Sequence, residues 1–173
     1  MFEEVFIERV RHLYSRCQST DEELALLAQI GHTADLILLQ PLDDAFDSDP
    51  ILEATVYTAS AIVHFYHFRN HYEGHASRAL IPFLRHFAIN VPLAFVLAHP
   101  FILIDLEAYR IVTHEKEFTL AERPGGLRIV ERVDWAVSVE TLARLQELAQ
   151  EREMAPEVLV ELTFGLVDSD SID

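Results

Sequence analysis

The 173-residue sequence predicts an α+β fold: a mainly helical N-terminal part over residues 1–99, then a small antiparallel sheet and a C-terminal helical pair over residues 100–173. Three observations predict it. Apolar residues recur at three- and four-residue spacing through most of the first 88 positions, as on the buried stripe of a helix. Beyond Pro100 that period gives way to short β-branched and aromatic runs separated by turn residues. Near the C-terminal end, Val133-Asp134-Trp135-Ala136-Val137 alternates like a strand, and two helical patterns follow it, hinged at Met154-Ala155-Pro156. At this length the two regions fit either one continuous domain or one core with a small appended module.

The first helix is expected over residues 2–17, where Val5, Phe6, Val10, Leu13 and Tyr14 form the apolar stripe, with glutamates early and arginines late as the helix dipole prefers. Ser19 or Thr20 caps an acidic first turn, Asp21-Glu22-Glu23, that opens a second helix running to Leu39, with a bend at Gly31 and an end at Pro41. Residues 41–50 read as an acidic loop with Asp49 as N-cap. It lacks the central glycine and the twelfth-position glutamate of a calcium loop. A third helix is expected from Pro50 to Tyr72 and a fourth from Ala76 to Ala88, the latter kinked at Pro82. Strands follow at residues 101–104, 109–112, 117–120 and 127–130, the last two joined by a turn at Pro124-Gly125-Gly126. The apolar run from Ala88 to Ile104 is broken by Asn90, Pro92, His99 and Pro100, so it reads as core and not as a bilayer helix, which needs about 20 apolar residues.

Composition bounds the function. Twenty-nine acidic against 13 basic residues give a net charge of −16, so the average surface repels phosphate backbones and anionic lipid. Cys17 is the single cysteine and the start of the chain lacks a basic, apolar leader, so a cytoplasmic location is expected. No phosphate-cradling loop, dinucleotide fingerprint or nucleophile elbow occurs, and Cys17 has no context that marks a reactive thiolate.

One cluster has metal-ligand chemistry. His64, His67, His71 and His75 are spaced by three, four and four residues, and on a helix they would project within roughly 60° of one another. Ser60 and Glu53 continue that line. Neutral imidazoles one turn apart chelate a transition metal, the one cofactor this sequence suggests. No Glu-x-x-His pair accompanies them, and the stripe, about 16 Å long, is too extended for all four to share one ion. A half-exposed packing face and a pH-responsive interface are the other two readings.

At the C-terminal end, Ser138 can cap a helix over residues 139–152 whose apolar stripe is Leu142, Leu145 and Leu148, and Pro156 suits the start of the next helix. This strand–helix–helix order resembles the ribbon-helix-helix family of small dimeric regulators over residues 128–167. The resemblance implies a strand whose outward residues, here Arg132, Asp134 and Ala136, read the DNA major groove. Only Arg132 suits that task, and Glu153 stands where the family has its turn glycine. Apart from the resemblance, a lone strand would leave backbone groups unpaired, so the strand that contains Arg132, Asp134 and Trp135 is expected to pair with the preceding hairpin or with a second copy, and these residues are the expected interaction surface. The leading expectation is a noncatalytic acidic adaptor, inhibitor or assembly subunit with a protein partner. A DNA-binding regulator and a metal-dependent helical protein are the alternatives.

Overall fold

A computed structural model of the chain describes residues 1–42, 51–130 and 139–152. The chain divides into two compact units, the first made of residues 1–122 and 126–130, the second of residues 123–125 and 131–173. The strand at residues 133–137, the helix after Pro156, most of the acidic loop, and Arg132, Asp134 and Trp135 lie outside the described residues. In the second unit the described helix is α5, Val139–Glu151, close to the span expected from the Leu145 and Leu148 stripe.

The first unit corrects the mainly helical N-terminal part. Among the described residues, nine strands form one mixed sheet in the order β1-β2-β5-β4-β3-β6-β7-β8-β9. They are β1 (Phe2–Ile7), β2 (Val10–Ser15), β3 (Leu36–Pro41), β4 (Leu52–Tyr57), β5 (Ile62–Phe68), β6 (Ile102–Asp105), β7 (Arg110–Thr113), β8 (Glu117–Arg123) and β9 (Gly126–Val130). Short helices connect them: α1 (Thr20–Leu26), followed by a 3-10 turn at Leu27–Gln29, then α2 (His75–Arg78), α3 (Leu80–His86) and α4 (Leu93–Ala98). None of the described helices is long and apolar enough to cross a membrane.

The expected first helix is a β-hairpin. Residues 2–7 pair with residues 10–15 in unbroken antiparallel register, closing at Ile7 and Val10. The two-residue turn between them places both Glu8 (φ 50°) and Arg9 (φ 72°) in the left-handed region, the geometry that matches the twist of the flanking strands. Neither residue is the Gly or Asn that advertises such a turn.

The expected third helix is the β4–β5 hairpin. Leu52, Ala54 and Val56 alternate inward on β4, and Val63, Phe65 and Phe68 do so on β5. A register shift between the Leu52–Phe68 and Ala54–Phe65 pairs inserts the extra residue that changes the inward spacing from two to three, a bulge that imitates helical periodicity. The turn before β5 is built by Thr58, whose hydroxyl donates to Ala61 O (2.9 Å) and accepts from Ala61 N (3.1 Å).

Two other helices are shorter than expected. Ser19 does cap α1, its hydroxyl accepting from Glu22 N at 3.3 Å, but the helix gives way at the 3-10 turn, Gly31 turns left-handed (φ 78°), and Leu36 onward is strand β3. The span 76–88 divides at Ala79. Pro82 therefore falls in the first turn of α3, where a missing N–H costs no intrahelical bond.

One face of the sheet carries the core. Ile37, Leu39, Val63, Phe65, Ile102 and Ile104 are almost completely buried, in one cluster with Leu80, Phe83, Leu84 and Val96 of the helices. Phe83 packs between Phe65 and Phe68, with ring centroids 5.5 and 4.9 Å away. The β1–β2 hairpin joins this body through a parallel seam of three pairs, His12–Ile62, Leu13–Val63 and Tyr14–His64. On the face opposite the core, that seam and β4 set His12, Tyr14, His64 and Glu53 side by side.

Candidate functional site

The four stripe histidines do not share a helical face, because β5 is extended and advances about 3.3 Å per residue. His64 and His67 lie on β5, His71 follows it with its ring edge-on to Tyr72 (4.6 Å), and His75 opens α2 with Nε2 2.9 Å from Asp21 Oδ1. His67 Nδ1 lies 3.2 Å from Glu23 Oε1. Among the described residues no group of three or more His, Cys, Asp or Glu is placed to hold a metal ion.

His64 instead joins a hydrogen-bonded string that runs across three strands. Its Nδ1 is 2.9 Å from Glu53 Oε1 on β4, and its Nε2 is 3.0 Å from His12 Nδ1 on β2. His64 and Glu53 are both nearly buried, with 13% and 12% of their side chains exposed. The Glu53 carboxyl is held below the usual carboxylate range, first by the His64 hydrogen bond, against a desolvation that pushes the other way, with Gln40 Nε2 (3.2 Å) helping.

Ionised Glu53 only accepts, so His64 donates from Nδ1, and in its neutral form the ring offers its Nε2 lone pair to His12 Nδ1–H. The outer nitrogen of His12 is then an acceptor. Tyr14 stacks on His64 (4.6 Å between centroids, 7° between planes), and the His12 and Tyr66 rings lie nearly parallel to it. Burial, and then the Glu53 charge, push the Tyr66 hydroxyl well above its ordinary range, which keeps it a neutral donor. The sequence marked His64 and Glu53 but not His12, whose partnership depends on a parallel pairing 52 residues away in sequence.

Glu23 is a different kind of group. It is fully buried, and its two oxygens accept the consecutive backbone N–H groups of Tyr66 (2.8 Å) and His67 (2.9 Å) at the bulge. It fixes the point where β5 changes parity, and so keeps His64 on the string's face while Phe65 and Phe68 stay in the core.

The string ends beside the hairpin where, among the described residues, most of the exposed large apolar side chains collect. Val5 is the cross-strand partner of His12, and Ile7 pairs with Val10 on the same face. Met1, Val5, Phe6, Ile7 and Val10 are all exposed, Phe6 by 65%. On the other face of the hairpin, Met1, Phe2, Glu4, Arg11, Leu13 and Gln29 line an open groove of about 560 Å³. The two glutamates of β1 are matched within the hairpin, Glu4 to Arg11 (3.0 Å) and Glu3 to Arg16. Compared with known proteins, no family model matches the chain, and no curated protein or solved structure is significantly similar to it.

Proposed function

We propose that this is a noncatalytic protein-interaction protein that docks a protein partner through its β1–β2 hairpin. The observation that carries the reading is where the exposed apolar side chains collect: among the described residues, five of the seven large ones lie within positions 1–10, on a hairpin at the edge of the sheet. Single exposed apolar residues are ordinary on soluble proteins, whereas a group gathered on one edge hairpin, Val5, Ile7 and Val10 on one face and Phe6 on the other, marks an element that another molecule covers. The strong acidic balance and the scarcity of catalytic motifs support the same reading.

The test is recovery of the full chain from native lysate with mass measurement of the complex, for wild type and for a Phe6→Ser/Ile7→Ser variant. Tyr72→Ser, at a similarly exposed aromatic outside the hairpin, is the control. A stoichiometric partner lost from the hairpin variant but kept by the control supports the reading. A partner that both variants retain, or none with wild type, overturns it.

A further inference from the structure

We propose that β1 receives an additional strand from a basic protein partner, which extends the sheet by backbone hydrogen bonding and lays alternate side chains along the groove on one face of the hairpin. This rests on the interaction reading above and names its mode and its partner.

The backbone gives the mode. β1 ends the strand order, so one side of it pairs with β2 and the other has no strand beside it among the described residues. Met1 O accepts from Arg16 N at 3.0 Å, and antiparallel partners alternate between bonded and non-bonded pairs. The bonded pairs are therefore those of residues 1, 3, 5 and 7, and the N–H and C=O groups of Phe2, Glu4 and Phe6 point away from β2. Natural edges are commonly blunted by charged side chains, lysine above all, or by proline, a bulge or short length, and the two charges of β1, Glu3 and Glu4, are each neutralised by an arginine of the same hairpin. β1 contains no lysine or proline, keeps unbroken register, and presents all of residues 3–7 exposed. A strand added there meets the side chains of Phe2, Glu4 and Phe6 on its groove side and of Val5 and Ile7 on the other, the pattern of recognition by strand addition.

Charge gives the partner. Within residues 1–16 three glutamates face three arginines, so the docking strand itself is balanced and raises no local barrier. The whole chain carries −16. A second copy brings the same field and is repelled on approach, while a cationic protein is drawn in.

Proline scanning isolates the mode. Glu4→Pro removes an outward N–H without removing a bond to β2, whereas Glu4→Ala loses the same Arg11 ion pair but keeps that N–H. The probe is a displayed library of random twelve-residue peptides panned on the full-length chain, with thermal melting of both variants to verify folding. Recovered peptides are expected to be net positive, to weaken at least tenfold between low and high salt, and to bind Glu4→Pro at least tenfold more weakly than Glu4→Ala, which shares the loss of the carboxylate and differs in the outward N–H. Peptides that bind Glu4→Pro as well as Glu4→Ala overturn strand addition while leaving the hairpin as a docking surface. Neutral or acidic peptides, or no binders, overturn the basic partner, as does a dimer in sedimentation that Glu4→Pro dissociates and Glu4→Ala does not. Retention of the native partner by the Phe6→Ser/Ile7→Ser variant would remove the underlying reading itself.

Discussion

Glu53 and His64 face each other across the β4–β5 hairpin at 2.9 Å, and through His64 the carboxylate holds His12 on the strand that carries the exposed hairpin. A group inside the sheet is thus tied to the orientation of a surface at its edge.

Replacing that carboxylate should be costly and pH-dependent. Glu53→Gln removes charge-assisted bonds and should destabilise the fold by about 1.5–3 kcal/mol at neutral pH. Because the folded-state carboxyl is held below its ordinary value, its contribution is complete above the unfolded value of roughly 4.3 and is lost as pH falls through the folded one. Denaturant midpoints measured from pH 7 to pH 2 should therefore fall more steeply for wild type than for Glu53→Gln, with the two curves converging in acid.

Glu23→Ala should be among the more damaging substitutions of the chain. It strands two part-buried backbone donors, at roughly 1–3 kcal/mol each. Hydrogen exchange should show the Tyr66 and His67 amides losing protection first. If those amides exchange as in wild type, the clamp does not hold the bulge.

The hairpin turn offers a change in the opposite direction. Glu8 and Arg9 occupy left-handed backbone at some cost, and Asn-Gly is the pair that such a turn prefers. The Glu8→Asn/Arg9→Gly variant should be more stable by about 1 kcal/mol in denaturant unfolding, with partner binding unchanged.

Gly126 admits no side chain. It has φ 113°, and a β-carbon would overlap the carbonyl oxygen of Ala88, which itself accepts from Leu127 N at 2.6 Å. Gly126→Ala should lower stability by roughly 2–4 kcal/mol through backbone strain and overpacking, read as a drop in melting temperature.

Strands β6 to β9 were legible, but as a small sheet of their own and not as the far end of one nine-stranded mixed sheet, and the N-terminal strands were not legible, for physical reasons that individual residues show. Strands β6 to β9 are bounded by Pro100, Pro124 and Gly125, residues that break or weaken a helix. The β1–β2 and β4–β5 hairpins turn instead on Glu8-Arg9 and on the Thr58 hydroxyl, neither of which reads as a breaker. The Glu23-clamped bulge then spaces Phe65 and Phe68 by three, so a strand acquires the period of a helix. The same misreading put four histidines on one face. What survives of that cluster is His64 with Glu53, and it gains His12, which no local pattern could supply. The α1 cap at Ser19 and helix α5 were legible because each is specified by adjacent residues.

The parallel seam between β2 and β5 also bears on how the molecule reaches its native state. The β3–β4 and β4–β5 pairings form between near neighbours in the chain, whereas the seam must bring together residues about fifty positions apart for only three pairs. Loop-closure entropy delays such contacts. The β1–β2 hairpin precedes the central meander in the chain yet docks on its last strand, so during synthesis its exposed apolar side chains emerge before the strand that anchors them.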